Sequence, residues 1–347
     1  MGVRHRCPGR AGLGLVLAGF AVVVAACSTA APIRALPVPG LGPPAAAPRT
    51  RPVLVPDPVR AHADELGAVP VLMYHQLLAR PAGDYDQTPA QFRGQLEQLY
   101  AHHFRPVTAA ALAAGRVDLP AGTSPMVLTF DDATVSQYAE QPDGTVAPDC
   151  AVGILLSVAH TYGQDHPVAS FYVNAHPFAG KDAYLRRLSA LGMELGDHTA
   201  THANLRRLGA AGVQRELAHG LAVITQAVPG ASVTTMALPY GVQPRDGALA
   251  HTGTFAGTSY DFRAVLLVGA NPAKSPYASG FDPEALPRIR SGRRTGDQAF
   301  TATYWLPRLF NGQVRPYVSD GDPTHVSFPK AEADRLDPRF AARAWPY

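Results

Sequence analysis

Two neighbouring aspartates close an apolar run, Val127-Leu128-Thr129-Phe130-Asp131-Asp132, and 66 residues further on two histidines stand four apart in His198-Thr199-Ala200-Thr201-His202. Adjacent carboxylates at a strand end repel each other unless a cation offsets the charge. Imidazole is a common zinc ligand, and a four-residue spacing puts two rings on one face of a helical turn. Asp, His and His therefore predict a divalent-metal site. Successive residues of an extended segment point in opposite directions, so Asp132 can hold the ion while Asp131 faces an attacking water. Each signal alone has a plainer reading. With 13 histidines in the chain, a surface pair at this spacing arises by chance, and Asp132 alone reads as the N-cap of a helix starting near Thr134. Their joint placement at strand ends favours the metal.

The elements that must position these groups alternate in type. Val69–Tyr74, Met126–Phe130, Val168–Val173, Glu194–Gly196, Met236–Leu238 and Ala264–Val268 read as strands. Thr88-Pro89 announces a helix with Phe92, Leu96 and Leu99 on one face. Thr108 opens a short helix, and Ala151–Ala159, Ala183–Leu191 and Arg206–Val228 follow, the last as one long helix interrupted by glycine. Gln137 to Asp149 reads as a polar insertion near the active rim. Repeated βα units with polar motifs at strand ends predict an α/β fold of the parallel-barrel kind.

Thr129-Phe130-Asp131-Asp132, the His198/His202 pair and Leu238-Pro239-Tyr240-Gly241 occur in the order and approximate spacing found in the polysaccharide deacetylases of carbohydrate esterase family 4. The chain resembles that family from about Val69 to Arg290. Val71-Leu72-Met73-Tyr74-His75-Gln76-Leu77 and Phe104-Arg105-Pro106-Val107-Thr108 resemble its poly-N-acetylglucosamine deacetylase branch. The resemblance implies a distorted (β/α)7-type barrel forming a single catalytic domain. It implies Asp131 as general base, Asp132, His198 and His202 as metal ligands, Tyr240 as donor of an oxyanion-holding N–H, and His75 as general acid. Amide hydrolysis needs a nucleophilic water, oxyanion stabilisation and protonation of the leaving amine, and those groups supply all three. Zinc suits two imidazoles and one carboxylate, as do cobalt and nickel. The sequence departs from the family in having Ala237 where many relatives carry an arginine that pairs with the base, which leaves Arg288 or Arg290 as the replacement charge. Asp197 stands where asparagine is common, and the tryptophan that the family carries shortly after the position of Asp261 is not evident.

The expected reaction is removal of N-acetyl groups from N-acetylglucosamine-type residues of an exported or cell-wall polysaccharide. An O-acetyl esterase of the xylan type and a non-catalytic glycan-binding lipoprotein are the alternatives. Arg4, Arg6 and Arg10 precede an uncharged stretch from Ala11 to Ala26 that ends in small residues before Cys27. This pattern predicts a lipoprotein signal peptide over 1–26, with lipidated Cys27 anchoring the protein on the extracytoplasmic face of the bacterial cell membrane. Residues 27–66, rich in proline and alanine, read as a disordered tether, 67–310 as the catalytic barrel, and 311–347 as an extension packed on the barrel or partly flexible. The formal charge is +3, but removing the three signal arginines leaves 27 basic against 27 acidic side chains. That balance argues against nucleic acid as a partner; the expected assembly is a monomer. Cys150 is the one cysteine outside Cys7 and Cys27, so no intrachain disulfide framework is expected, and it reads as a packed residue rather than a nucleophile. Tyr317 to Pro323 reads as a β-turn rather than a calcium loop. Trp305 and Trp345 read as core residues before sugar platforms.

Overall fold

Alternate residues of the longest strand face different cores. Leu128 and Phe130 pack with Phe92, Leu96 and Leu155 beneath the helices, whereas Val127 packs with Tyr172, Ala237 and Leu266, as a pleated strand requires. The computed structural model describes residues 57–291 and 298–347. The expected signal peptide and the tether up to Pro56 lie outside them. In chain order the strands are β1 (Val71–Tyr74), β2 (Phe104–Val107), β3 (Ser124–Asp131), β4 (Ser170–Val173), β5 (Glu194–Asp197), β6 (Thr235–Ala237), β7 (Thr252–Phe255), β8 (Thr258–Asp261), β9 (Ala264–Leu266), β10 (Ile289–Arg290), β11 (Val326–Phe328) and β12 (Ala344–Pro346). The helices are α1 (Pro58–Ala61), α2 (Pro89–Ala101), α3 (Ala109–Ala113), α4 (Ala151–Thr161), α5 (Ala183–Ala190), α6 (Ala210–Ala227) and α7 (Ala302–Phe310).

The main sheet runs β10-β1-β3-β4-β5-β6-β9, with β2 alongside the first half of β3. Its neighbours are all parallel. Leu286 bridges Leu266 on β9 while Leu72 and Met73 of β1 pair with Ile289 and Arg290, so segment 286–290 joins the two edges of the curled sheet. Seven strands thus form the distorted α/β barrel expected from the sequence, in one domain. The distortion has a local source: the antiparallel hairpin β7–β8 replaces a helix between β6 and β9. Among the described residues no helix is long and apolar enough to cross a membrane.

Local signals fix the helix starts. Thr88 and Gln91 form a reciprocal capping box ahead of Pro89, which satisfies two backbone donors that a helix start otherwise leaves open. Thr108 caps α3, and the Cys150 thiol accepts from the Gly153 N–H at the start of α4. Cys150 is buried, and burial pushes its thiol up from the usual value, so it is inert as a nucleophile. The helix expected over 206–228 is instead a 3₁₀ turn, Leu205–Arg207, followed by α6. Gly209 is the N-cap that separates them.

Residues 63–66, within the stretch expected to be tether, are buried. Asp64 and Val318 exchange backbone hydrogen bonds, the Tyr317 hydroxyl and the Ser327 N–H donate to Glu65, and the Tyr347 hydroxyl donates to the Ala63 carbonyl. Tyr317, Val326 and Phe328 are fully buried with Val69 and Val71. The C-terminal segment therefore seals the barrel end where β1 begins. Composition alone does not show this packing, because residues 63–66 find long-range partners 210 or more positions away.

Candidate active and metal site

β1, β3, β5 and β6 deliver their last residues to one rim. On β3, Thr129 and Asp131 share the inner face because they are two apart. Asp131 is 1% exposed. Its two oxygens accept from Arg288 at 2.7 and 2.9 Å, a bidentate, charge-assisted pair. Arg288, also buried, donates further to Thr129 Oγ1 and the Leu267 carbonyl and lies over the Tyr172 ring. The charge missing at Ala237 is thus supplied from the segment that closes the barrel. Burial alone would raise the Asp131 carboxyl; the Arg288 guanidinium, aided by His198 and His75, outweighs it and holds the carboxyl well below its usual range.

The next residue turns away. Asp132 has φ of 72° and Ala133 of 46°, left-handed values that end the strand and send the Asp132 side chain toward the two histidines. No helix starts at Thr134, so Asp132 is not an N-cap. Asp132 Oδ1 lies 3.6 Å from His198 Nε2 and 3.7 Å from His202 Nε2, and one donor atom of each residue lies within 4.8 Å of the others. The His198 Nδ1 is 2.7 Å from the Ala237 carbonyl, which only a protonated Nδ1 can satisfy, leaving the Nε2 lone pair free. That Nε2 is buried and has no hydrogen-bond partner. Burial lowers the His198 pKa despite the carboxylates nearby, favouring the neutral ring a metal needs. An orphaned imidazole nitrogen, a second imidazole and a free carboxylate oxygen fit a divalent cation.

The two histidines do not share a helical turn. Residues 198–204 are a loop with left-handed φ at Thr199 (62°) and His202 (55°). It is fastened to α6 by Glu216, whose Oε2 accepts from the Thr201 N–H and hydroxyl, each at 2.9 Å, and whose carbonyl accepts from the Ala200 N–H. Asp197 Oδ1 accepts from the Thr199 N–H at 2.6 Å. Its other oxygen faces Gly220 of α6, where an added Cβ would sit 2.4 Å away. Burial raises the Asp197 carboxyl well above its ordinary value, with the Thr199 N–H working the other way; this acid stands at the position where asparagine is common in the family.

His75 follows Tyr74 on the inner face, with Nε2 3.9 Å from Asp131 Oδ2 and its ring stacked on Tyr85 (centroids 4.9 Å apart, planes at 27°). Tyr240 has φ of 61°; its ring packs edge-on against His202 at 4.8 Å and is 61% exposed. It borders an open groove of about 590 Å³ with Asn204, Arg207 and Leu208, large enough for a sugar. The structure therefore brings His75, Asp131, Asp132, His198, His202 and Tyr240 to one rim. Neither tryptophan lines that groove: Trp305 donates to the Ala270 and Ala299 carbonyls, and Trp345 packs on His325 in the terminal strand pair. The sequence reading missed Glu216 and Gln137. Gln137, completely buried, was taken for the start of a polar insertion, and a polar residue beside a motif carries no signal that it is interior.

Residues 119–251 match the family profile described as polysaccharide deacetylase. Over 182 residues, 51% of this chain and 75% of the other, the sequence is 28% identical to a chitooligosaccharide deacetylase of Bradyrhizobium sp. (strain ANU 289). A chitooligosaccharide deacetylase of Sinorhizobium fredii is 28% identical over 125 residues, 36% of this chain and 51% of that protein. Among solved structures, IcaB from Ammonifex degensii superposes with a TM-score of 0.48 at 19% identity, covering 69% of this chain and 97% of that one.

Proposed function

We propose that this chain, whose residues 119–251 match the polysaccharide deacetylase profile, hydrolyses N-acetyl groups on N-acetylglucosamine-type residues of an exported or cell-wall polysaccharide. The observation that carries the reading is the divergence of the two aspartates. Asp132 joins both histidines, while Asp131, one residue away, is held apart by Arg288. A structural metal site has no use for the second, buried acid.

Asp132, His198 and His202 would hold the cation, zinc or else cobalt or nickel, which when bound polarises the acetyl carbonyl and acidifies water. Asp131 is ionised throughout the neutral range and takes the proton of the attacking water. Its two bonds to Arg288 fix where that acceptor sits. The Tyr240 N–H donates to the developing oxyanion, and the left-handed turn at this residue sets the direction of that N–H. His75 then gives a proton to the departing amine; with Nε2 3.9 Å from Asp131 Oδ2, it is near enough to recover the proton that the base has taken. The exposed Tyr240 ring and the adjoining groove offer a surface for the sugar. The sequence before the barrel supports lipid anchorage at Cys27 on the outer face of the cell membrane, with an acetylated glycan as the partner.

The test is acetate release from an N-acetylglucosamine oligomer, with acetylxylan in parallel and chelator as control. Chelator-sensitive release from the oligomer supports the reading. Release from acetylxylan alone would transfer the site to ester substrates.

A further inference from the structure

One buried amide touches the backbones of both groups that move protons. Gln137 Nε2 donates to the His75 carbonyl at 2.9 Å and to the Asp131 carbonyl at 2.5 Å. Both acceptors are carbonyls, so only the NH2 end of this side chain can face them. The residue is completely buried, and its own main chain is fixed at both ends: its N–H donates to the Thr134 carbonyl and its carbonyl accepts from the Val152 N–H in the first turn of α4. The neighbouring Ser136 Oγ accepts from the Leu77 N–H at 3.0 Å. The turn after β3 thus holds the chain leaving β1 at two points, His75 and Leu77.

We propose that Gln137 is the positioning residue that sets the spacing between base and acid; this rests on the reading of Asp131 as base and His75 as acid. The two are not equally dependent on it. Asp131 is independently anchored through its side chain by two bonds from Arg288. The His75 side chain has no comparable polar anchor: its Nδ1 is buried without a hydrogen-bond partner and its ring rests on Tyr85 by stacking. Removing the Gln137 NH2 group leaves the base in place and lets the acid drift. Misplacement of about 1 Å costs on the order of a hundredfold in rate. The loss falls on substrates whose leaving group must be protonated.

The experiment compares an N-acetylglucosamine oligomer with 4-nitrophenyl acetate, whose phenolate leaves without a proton. Gln137→Met removes both donors at similar volume; Gln137→Glu keeps the shape and replaces the donors with a carboxylate. Thermal melts and metal content confirm that each variant is folded and loaded. We expect the amide-to-ester ratio of kcat to fall on the order of a hundredfold in both variants, with KM for the oligomer within about threefold, and His75→Ala to show the same selective loss. If His75→Ala loses amide turnover selectively while the Gln137 variants lose both activities equally or neither, Gln137 is no positioning residue. If His75→Ala itself shows no selectivity, the acid assignment fails and the proposal falls with it.

Discussion

Replacing Arg288 with methionine strips the main counter-charge from a buried carboxylate. Arg288 is completely buried, Asp131 is 1% exposed, and the two share two hydrogen bonds. Removing one partner of such a pair costs about 3–5 kcal/mol, because the other is left as an uncompensated buried charge. At about 1.4 kcal/mol per pKa unit this raises the Asp131 carboxyl by roughly 2–4 units, and it lowers Tm by about 6–20 °C at 2–4 °C per kcal/mol. In the parent protein the folded pKa lies below the ordinary aspartate value of 3.8. The pair's contribution is therefore present above the unfolded pKa and is lost only as pH falls through the folded one. In Arg288→Met the folded pKa is higher than in the parent, so the gap between the two proteins is full at pH 7 and narrows as pH falls through the variant's folded pKa. Urea titrations of both proteins in chelator, which removes metal binding from the comparison, should show a gap that narrows from pH 7 to pH 4. The double variant Asp131→Asn/Arg288→Met should recover most of the loss at pH 7. A gap below about 1 kcal/mol at pH 7, or one that ignores pH, would refute this account of the pair.

Other consequences follow from the same contacts. His198→Ala should lose both metal uptake, read by elemental analysis, and acetate release, since it removes the orphaned Nε2. Gly220→Ala places a Cβ 2.4 Å from the Asp197 carboxyl, and calorimetry should show weaker metal binding as the strain reaches His198. Burial, reinforced by Asp320, pushes Glu65 up to about 8. Its folded pKa exceeds the unfolded value, so stability is lost as pH rises from about 4.5 to 8, and Glu65→Gln should flatten that part of the pH–stability curve. Thr88→Ala should cost about 1 kcal/mol in urea titration through loss of the helix cap.

Strand and helix order was legible because apolar periodicity and capping residues are local. The barrel's inner and outer faces follow from the alternation of Val127, Thr129 and Asp131 with Leu128 and Phe130. The pairing of Arg288 with Asp131 was half legible: the departure at Ala237 said that a charge was missing, but which of Arg288 and Arg290 supplies it depends on strand register at the seam. The His198/His202 spacing suggested a helical turn, yet the loop uses two left-handed residues and a buried glutamate from α6, contacts that no local pattern encodes. Residues 63–66 carry tether composition and are nevertheless packed, because their partners lie far along the chain, at Ser275, Tyr317, Val318, Ser327, Arg335 and Tyr347.

Metal content and acetate release, measured together on Asp131→Asn, test the central claim most directly. The expected protein carries one divalent ion, as the parent does, and releases no acetate from an N-acetylglucosamine oligomer. An Asp131→Asn protein that carries the ion and still releases acetate at the parent's rate would contradict the division of labour between the two aspartates.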